Sequence, residues 1–273
     1  MSYYLKEALS QYEKGNYAAA IDFAEKALEE EPENDAIHVM LAESFFALKN
    51  FAKAAEHFTA VLNVGEINGS VLIFLGMSHL HLGLLEEALD DFNKFIKLFP
   101  RRADGYYSRA MVHKAAGRSI EALADLKRTA ELESNFPNLQ YYLAEVNITL
   151  ERYDAAYRQI KKALKENPDY ESVNFFFGFL SYKLGYYKES IAALSKTIYL
   201  DEKSDTLLYY RMLAKKELKD YKGAQEDADL LVKCNPYFFK IIKKGREVPL
   251  VKIVVKENGD LDMRTDVPDD LKD

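Results

Sequence analysis

Apolar residues recur along this chain at spacings of three and four, which is the period of an α-helix with one buried face. Residues 72–92 show two such runs in succession, with Gly83 between them. The recurring positions are Leu72, Leu75, Met77, Leu80, Leu85, Ala88, Leu89 and Phe92. Glycine readily adopts the positive φ that follows a helix end. The pattern therefore predicts two helices of roughly 12–14 residues, each about 20 Å long, joined by a tight turn.

The same pair of helices is predicted seven times. GNYAAAIDFAEKAL (15–28) aligns with KNFAKAAEHFTAVL (49–62) and GLLEEALDDFNKFI (83–96), and four further blocks begin at residues 117, 151, 185 and 219. Each block starts 34 residues after the previous one. One such pair cannot bury its apolar face alone, so the units are expected to stack on one another around a continuous core.

The repeat resembles the tetratricopeptide repeat, a family with 34-residue helix-turn-helix units. The family has a small residue at the eighth position of each unit, here Ala8, Ala42, Gly76, Ala110, Ala144 and Gly178, with Met212 as the departure. It has Ala at the twentieth position, here Ala20, Ala54, Ala88, Ala122, Ala156 and Ala224, with Ser190 as the departure. The closing proline is present in alternate units as Pro32, Pro100, Pro168 and Pro236.

This resemblance covers residues 1–238 and implies an all-α, right-handed α-solenoid. The seven units would be residues 1–34, 35–68, 69–102, 103–136, 137–170, 171–204 and 205–238. In such a solenoid the first helix of each unit lines a concave surface. The family resemblance also implies a non-catalytic adaptor that binds segments of partner proteins.

The resemblance also implies which positions of each unit face inward, and the residues at those positions in this sequence predict an apolar and aromatic peptide-binding groove. Its expected residues are Phe74, Met77, Tyr107, Met111, Tyr141, Tyr142, Phe175, Phe176, Phe179, Tyr182, Lys183, Tyr209, Tyr210 and Leu213. Large exposed apolar patches are rare on a monomer unless they bind something. Aromatic anchors can each contribute about 2 kcal/mol or more to an interface.

Aromatic residues make up half of the stretch NFFFGFLSYKLGYY (174–187). In our interpretation Phe177 and Tyr187 pack the helix. The remaining inward-facing rings, Phe175, Phe176, Phe179 and Tyr182, are surplus to packing and form the groove. Two alternatives stay open. The curvature of the solenoid could bury these rings against one another, or the C-terminal tail or a second copy of the chain could cover them.

After Pro236 the period ends, and residues 239–273 are expected to form a capping segment and tail. YFFKIIKK (237–244) has helical spacing and is expected to cap the last unit. Asn258-Gly259 follows a β-branched run and predicts a β-hairpin-like tail. This tail could dock on the solenoid, mediate oligomerisation or stay disordered.

Composition narrows the class of protein. The 273 residues are 48% hydrophobic and 30% charged, carry a formal net charge of −7 and include one cysteine, Cys234. The acidic balance argues against nucleic acid as a partner. One thiol cannot form an internal disulfide, and no stretch reaches the eighteen apolar residues of a membrane span. We therefore expect a soluble, cytoplasmic protein without membrane insertion.

No motif for catalysis, a cofactor or a metal ion is found in the sequence. His79 and His113 occupy the same position in adjacent units, but a partly buried, hydrogen-bonded histidine explains each one better than a metal pair. The sequence therefore predicts a protein-interaction adaptor that is not an enzyme. The alternative is a self-associating scaffold whose tail or terminal units form a homo-oligomer.

Overall fold

The computed structural model describes residues 2–64, 68–168, 171–198 and 205–234, together with residues 254–255 and 261–262. These residues are mainly helical. The helices are α1 (Tyr3–Glu13), α2 (Tyr17–Glu30), α3 (Asp35–Ala47), α4 (Phe51–Val64), α5 (Gly69–His81), α6 (Leu85–Leu98), α7 (Ala103–Ala115), α8 (Ser119–Leu132), α9 (Leu139–Thr149), α10 (Tyr153–Glu166), α11 (Glu171–Lys183), α12 (Tyr187–Ile198), α13 (Asp205–Glu217) and α14 (Tyr221–Cys234). We call the odd-numbered helices A helices and the even-numbered ones B helices.

Two short strands, β1 (Val254–Val255) and β2 (Leu261–Asp262), lie near the C-terminus. They pair antiparallel, with Val254 opposite Asp262 and Val255 opposite Leu261. The expected capping helix over residues 237–244 and the docking of the tail lie outside the described residues. Residues 256–260, which connect β1 to β2, also lie outside the described residues, so the hairpin-like tail stays a prediction.

The turn between each A helix and its B helix contains one residue with a left-handed backbone. The φ angles are 75° at Gly15, 61° at Lys49, 75° at Gly83, 72° at Gly117, 57° at Glu151, 82° at Gly185 and 62° at Lys219. Three of these residues carry a Cβ, for which this conformation costs about 1–2 kcal/mol. Packing of the helix pair, and not local preference alone, therefore imposes the turn.

The predicted all-α helical-repeat fold is confirmed.

The chain forms two compact units, residues 1–139 and residues 140–273. In unit 1 each helix from α1 to α7 packs on the next one along the chain, and successive A helices also touch. In unit 2 the helices α10 to α14 pack in the same sequential way, and α11 contacts α13. None of the described helices combines the length and the apolar character needed to cross a bilayer.

The small residue at the eighth position of a unit has a packing cause in the structure. Ala42 and Ala110 are 0% exposed. Where the residue is glycine, the neighbour lies closer still. A Cβ added to Gly178 would lie 2.6 Å from Leu194 Cγ, and a Cβ added to Gly76 would lie 2.8 Å from the ring of Phe92. The large residue at the twenty-fourth position thus packs directly against the backbone of the A helix.

Candidate functional site

Five of the predicted groove rings lie in the core of unit 2. Phe175, Phe176 and Phe179 are 1%, 3% and 0% exposed, and Tyr141 and Tyr210 are 4% and 6% exposed. The interpretation that the three phenylalanines are surplus to packing is wrong. These five rings are not available as a docking surface.

Contacts between neighbouring A helices explain this burial. The ring of Phe176 in α11 lies 5.7 Å from that of Tyr141 in α9. The ring of Phe179 in α11 meets the ring of Tyr210 in α13 edge-on at 5.0 Å and 74°. Edge-to-face geometry is favourable for aromatic pairs. Rings from three successive A helices thus bury one another, which is one of the alternatives that the sequence left open.

The two rings that were expected to pack are less buried than those three. Phe177 is half-buried and stacks on Tyr157, with ring centroids 5.5 Å apart and an angle of 18° between the ring planes. Tyr187 is also half-buried, and its ring lies 6.0 Å from that of Tyr182. The helical period locates the aromatic residues correctly, but it does not rank them by burial.

The predicted groove residues that remain accessible in unit 2 form what we call the tyrosine face. Four of them are half-buried and Lys183 is exposed. The tyrosine face consists of Tyr142, Tyr182, Lys183, Tyr209 and Leu213. It draws on α9, α11 and α13, and the buried rings described above form its base.

The electrostatics of the tyrosine face favour neutral hydroxyl groups. Burial raises the pKa of Tyr182, and burial also raises the pKa of Tyr209. Both side chains therefore remain protonated at neutral pH, and the Tyr182 hydroxyl group can donate a hydrogen bond to a ligand. Lys183 Nζ lies 5.7 Å from the centroids of the Tyr153 and Phe179 rings, a cation–π distance.

In unit 1 the predicted groove residues are all half-buried. They are Phe74 and Met77 in α5, and Tyr107 and Met111 in α7. The ring of Phe74 lies 5.2 Å from Phe46, a ring of the preceding A helix. Unit 1 thus presents a second partly accessible apolar surface on its own A helices.

Sequence reasoning missed a buried ion pair in the fourth repeat. Arg109 Nε and Nη2 donate to the two carboxylate oxygens of Asp125 at 2.8 and 2.7 Å, and Arg109 Nη1 donates to Asn93 Oδ1 at 2.7 Å. Asp125 is 6% exposed. One guanidinium group therefore links α6, α7 and α8.

The seventh repeat repeats this arrangement. Arg211 donates through Nε and Nη2 to Asp227 and through Nη1 to Ser195 Oγ, and Lys215 Nζ lies 2.9 Å from Asp227 Oδ2. Asp227 is 1% exposed. The signal in the sequence is an Arg at the seventh position of a unit and an Asp sixteen residues later.

A cavity of about 630 Å³ opens between α4, α5 and α6 in unit 1. We call it the Asp91 cavity. Its lining residues are Thr59, Leu62, Leu72, Leu75, His79, Glu87, Asp90, Asp91, Lys94, Lys97 and Leu98. Asp91 is 4% exposed, and His79 Nδ1 lies 2.7 Å from its Oδ2. Burial raises the pKa of Asp91, although the hydrogen bond from His79 acts in the opposite direction.

The histidines make local contacts. His79 and His113 each face an aspartate of their own repeat. His38 Nε2 lies 3.1 Å from the carbonyl oxygen of Pro32, so it must donate there, and His38 Nδ1 lies 3.0 Å from His57 Nδ1. Burial lowers the pKa of His57, and the neighbouring His38 lowers it further. The described residues contain no group of three or more His, Cys, Asp or Glu that could hold a metal ion.

Comparison with known proteins gives two matches to tetratricopeptide repeat family models, over residues 11–66 and 69–102. DnaJ homolog subfamily C member 3 of Bos taurus is 34% identical over 94 residues, which are 34% of this chain and 19% of that protein. U-box domain-containing protein 70 of Oryza sativa subsp. japonica is 28% identical over 127 residues, which are 44% of this chain and 16% of that protein. The chain thus spans less than a fifth of the length of these relatives.

Solved structures with the same fold match more of the chain. A tetratricopeptide repeat protein from Parabacteroides merdae superposes with a TM-score of 0.64 at 19% identity and covers 88% of this chain and 95% of that one. Part of a repeat-containing protein from Cytophaga hutchinsonii gives a TM-score of 0.70 at 15% identity, covering 89% and 100%. YrrB, described as having an unusual peptide-binding site, gives a TM-score of 0.64 at 20% identity, covering 71% and 100%.

Proposed function

We propose that this chain, whose residues 11–66 and 69–102 match tetratricopeptide repeat models, is an interaction scaffold whose tyrosine face binds an apolar or aromatic peptide segment of a partner protein. The limits of the seven units and the cytoplasmic location remain part of this proposal. So does the non-catalytic role of the chain.

One observation carries the proposal: three successive A helices each present a half-buried tyrosine above a base of buried rings. Tyr142 belongs to α9, Tyr182 to α11 and Tyr209 to α13. The ring of Tyr182 lies 5.6 Å from the buried ring of Tyr210, and the ring of Tyr209 lies 5.5 Å from it. Packing against the ring of Tyr210 limits the rotamers of Tyr182 and Tyr209. A ligand that covers them therefore loses little conformational entropy.

The chemistry of this face suits a polypeptide. The exposed ring surfaces and Leu213 offer apolar contact, which favours apolar or aromatic side chains in the ligand. The protonated hydroxyl group of Tyr182 can donate a hydrogen bond to a backbone carbonyl group of a peptide. A peptide is also the ligand class named for YrrB, a protein of the same fold.

Peptides selected from a random library on the full-length protein would test the proposal. We expect the selected sequences to be rich in aromatic and large apolar residues. Changing both Tyr182→Ala and Tyr209→Ala should weaken binding of these peptides by about 30-fold or more, since an aromatic hot spot contributes about 2 kcal/mol or more. Isothermal titration calorimetry would measure the dissociation constants.

The matched control variant replaces two exposed tyrosines that lie outside the tyrosine face. Tyr3 and Tyr221 are 68% and 65% exposed, so Tyr3→Ala with Tyr221→Ala should leave the affinity within about 2-fold of wild type. Equal affinity of the selected peptides for the tyrosine-face variant would contradict the proposal. Light scattering along the titration would show whether the chain instead self-associates, which is the alternative function.

A further inference from the structure

Three repeats place a buried aspartate at the twenty-third position of the unit, on the B helix. They are Asp91, Asp125 and Asp227, which are 4%, 6% and 1% exposed. In the fourth and seventh repeats, an arginine at the seventh position donates two hydrogen bonds to this carboxylate. In the third repeat the seventh position is Leu75, which has no donor.

The residues that line the Asp91 cavity correspond to residues that surround the arginine side chain in the fourth repeat. Four of its lining residues are the counterparts, 34 residues earlier, of the group around Arg109. Leu75 corresponds to Arg109 itself, Asp91 to Asp125, His79 to His113, and Thr59 to the Asn93 that accepts the third hydrogen bond. The third repeat therefore retains the receptor for a guanidinium group but does not supply that group.

The hydrogen bond from His79 leaves room for a second cation at Asp91. In the seventh repeat, the same carboxylate oxygen of Asp227 accepts from Arg211 Nε at 2.9 Å and lies 2.9 Å from Lys215 Nζ. His79 takes the place of Lys215 in the third repeat. Asp91 Oδ1 has Lys94 Nζ at 4.0 Å, too far for a hydrogen bond, and the Lys94 side chain is 67% exposed. The pKa of Asp91, raised by burial, agrees with a carboxylate that is incompletely compensated.

The apolar residues that line the cavity suit the aliphatic part of an arginine side chain. Leu62, Leu72 and Leu98 line it, which suits the aliphatic stem. Asp90 and Glu87 add negative charge to the lining, whereas Lys94 and Lys97 add positive charge. The cavity volume of about 630 Å³ exceeds the needs of one guanidinium group, so the backbone that carries the arginine can approach as well.

We propose that the Asp91 cavity binds an arginine side chain presented by a partner protein. The guanidinium group donates to both carboxylate oxygens of Asp91 and to the hydroxyl oxygen of Thr59, as Arg109 does with Asp125 and Asn93. Such paired, charge-assisted hydrogen bonds are among the stronger protein contacts, and lysine cannot reproduce their planar geometry. This site shares no residue with the tyrosine face and does not depend on the proposed function.

The test uses the full-length protein and N-acetyl-L-arginine methylamide as the probe. Nuclear magnetic resonance titration at constant ionic strength should show saturable shifts of the Leu62, Leu75 and Leu98 methyl groups. N-acetyl-L-citrulline methylamide has nearly the same shape but no charge, and it should produce none. Asp91→Asn should weaken arginine binding at least tenfold.

A second variant keeps the test decisive if Asp91→Asn does not fold. Leu75→Arg supplies the missing guanidinium group from the chain itself, so it should abolish binding of the probe. Its matched control is Leu143→Arg, at the same position of the fifth repeat, where the twenty-third residue is the neutral Gln159. Both leucines are 4% exposed. Leu75→Arg should keep a melting temperature close to wild type, whereas Leu143→Arg should lower it clearly.

Arginine-specific shifts that disappear in Leu75→Arg would support the site. No saturable shift with the arginine probe, or equal shifts with citrulline, would overturn it. Undiminished probe binding by Leu75→Arg would also overturn it, as would equal destabilisation by Leu75→Arg and Leu143→Arg. None of these outcomes bears on peptide binding at the tyrosine face, because that experiment changes other residues.

Discussion

Replacing Phe179 by Ala tests whether its ring stabilises the core or serves to bind a ligand. Phe179 is 0% exposed, and its ring contacts Tyr210 at 5.0 Å and Tyr153 at 6.2 Å. Returning a buried Phe side chain to water costs about 1.5–3 kcal/mol. The cavity that remains and the lost ring contacts bring the expected loss for Phe179→Ala to about 3–5 kcal/mol.

Urea unfolding followed by circular dichroism would measure this loss, and hydrogen exchange would locate it. Because the stability of a repeat array depends mainly on contacts between neighbouring repeats, exchange should accelerate most in α11 and α13. Tyr182→Ala is the matched control on the same helix. Its ring is half-buried, so we expect a smaller loss of about 1–2 kcal/mol.

The reasoning would be refuted if Phe179→Ala lowered the free energy of unfolding by less than about 1 kcal/mol. It would also be refuted if Phe179→Ala and Tyr182→Ala gave equal losses. In either case the buried ring of Phe179 would contribute no more to the stability of the core than the half-buried ring of Tyr182 does.

The remaining predictions concern buried charge, a histidine and close helix packing. Asp227→Ala leaves the cations of Arg211 and Lys215 unpaired and should lower the free energy of unfolding by about 3–5 kcal/mol in urea. Because burial lowers the pKa of His57 in the folded protein, the unfolded chain binds the proton first as pH falls through 6.5, so stability falls on acidification. His57→Gln should remove that part of the pH dependence of urea unfolding. Gly178→Val should lower the melting temperature, since even its Cβ would lie 2.6 Å from an α12 side chain.

Each of these predictions has an outcome that would contradict it. Wild-type stability of Asp227→Ala would show that the carboxylate does not compensate its neighbours. Parallel stability curves for wild type and His57→Gln between about pH 7.5 and pH 5 would exclude a role for that imidazole. An unchanged melting temperature for Gly178→Val would mean that α12 can move aside without loss.

The sequence by itself determined the repeat. The 34-residue period and the glycine at the fifteenth position of four units predicted the tight turns, and the helical period predicted the helix pairs. These features are local, because they depend on contacts within one helix or one helix pair. Family resemblance supplied the groove positions, of which Tyr142, Tyr182 and Tyr209 are half-buried and lie on A helices.

Only the tertiary structure decided which aromatic side chains remain accessible. Phe176 and Phe179 occupy expected groove positions, yet rings from the neighbouring A helices bury them. Only the tertiary structure also identified Asp91 as part of a candidate binding site. Asp91 lies beside an empty volume between three helices, and in the next repeat Arg109 binds the corresponding aspartate. Burial and cavities arise from contacts between residues far apart in the chain, and the hydrophobic period of a single helix carries no information about them.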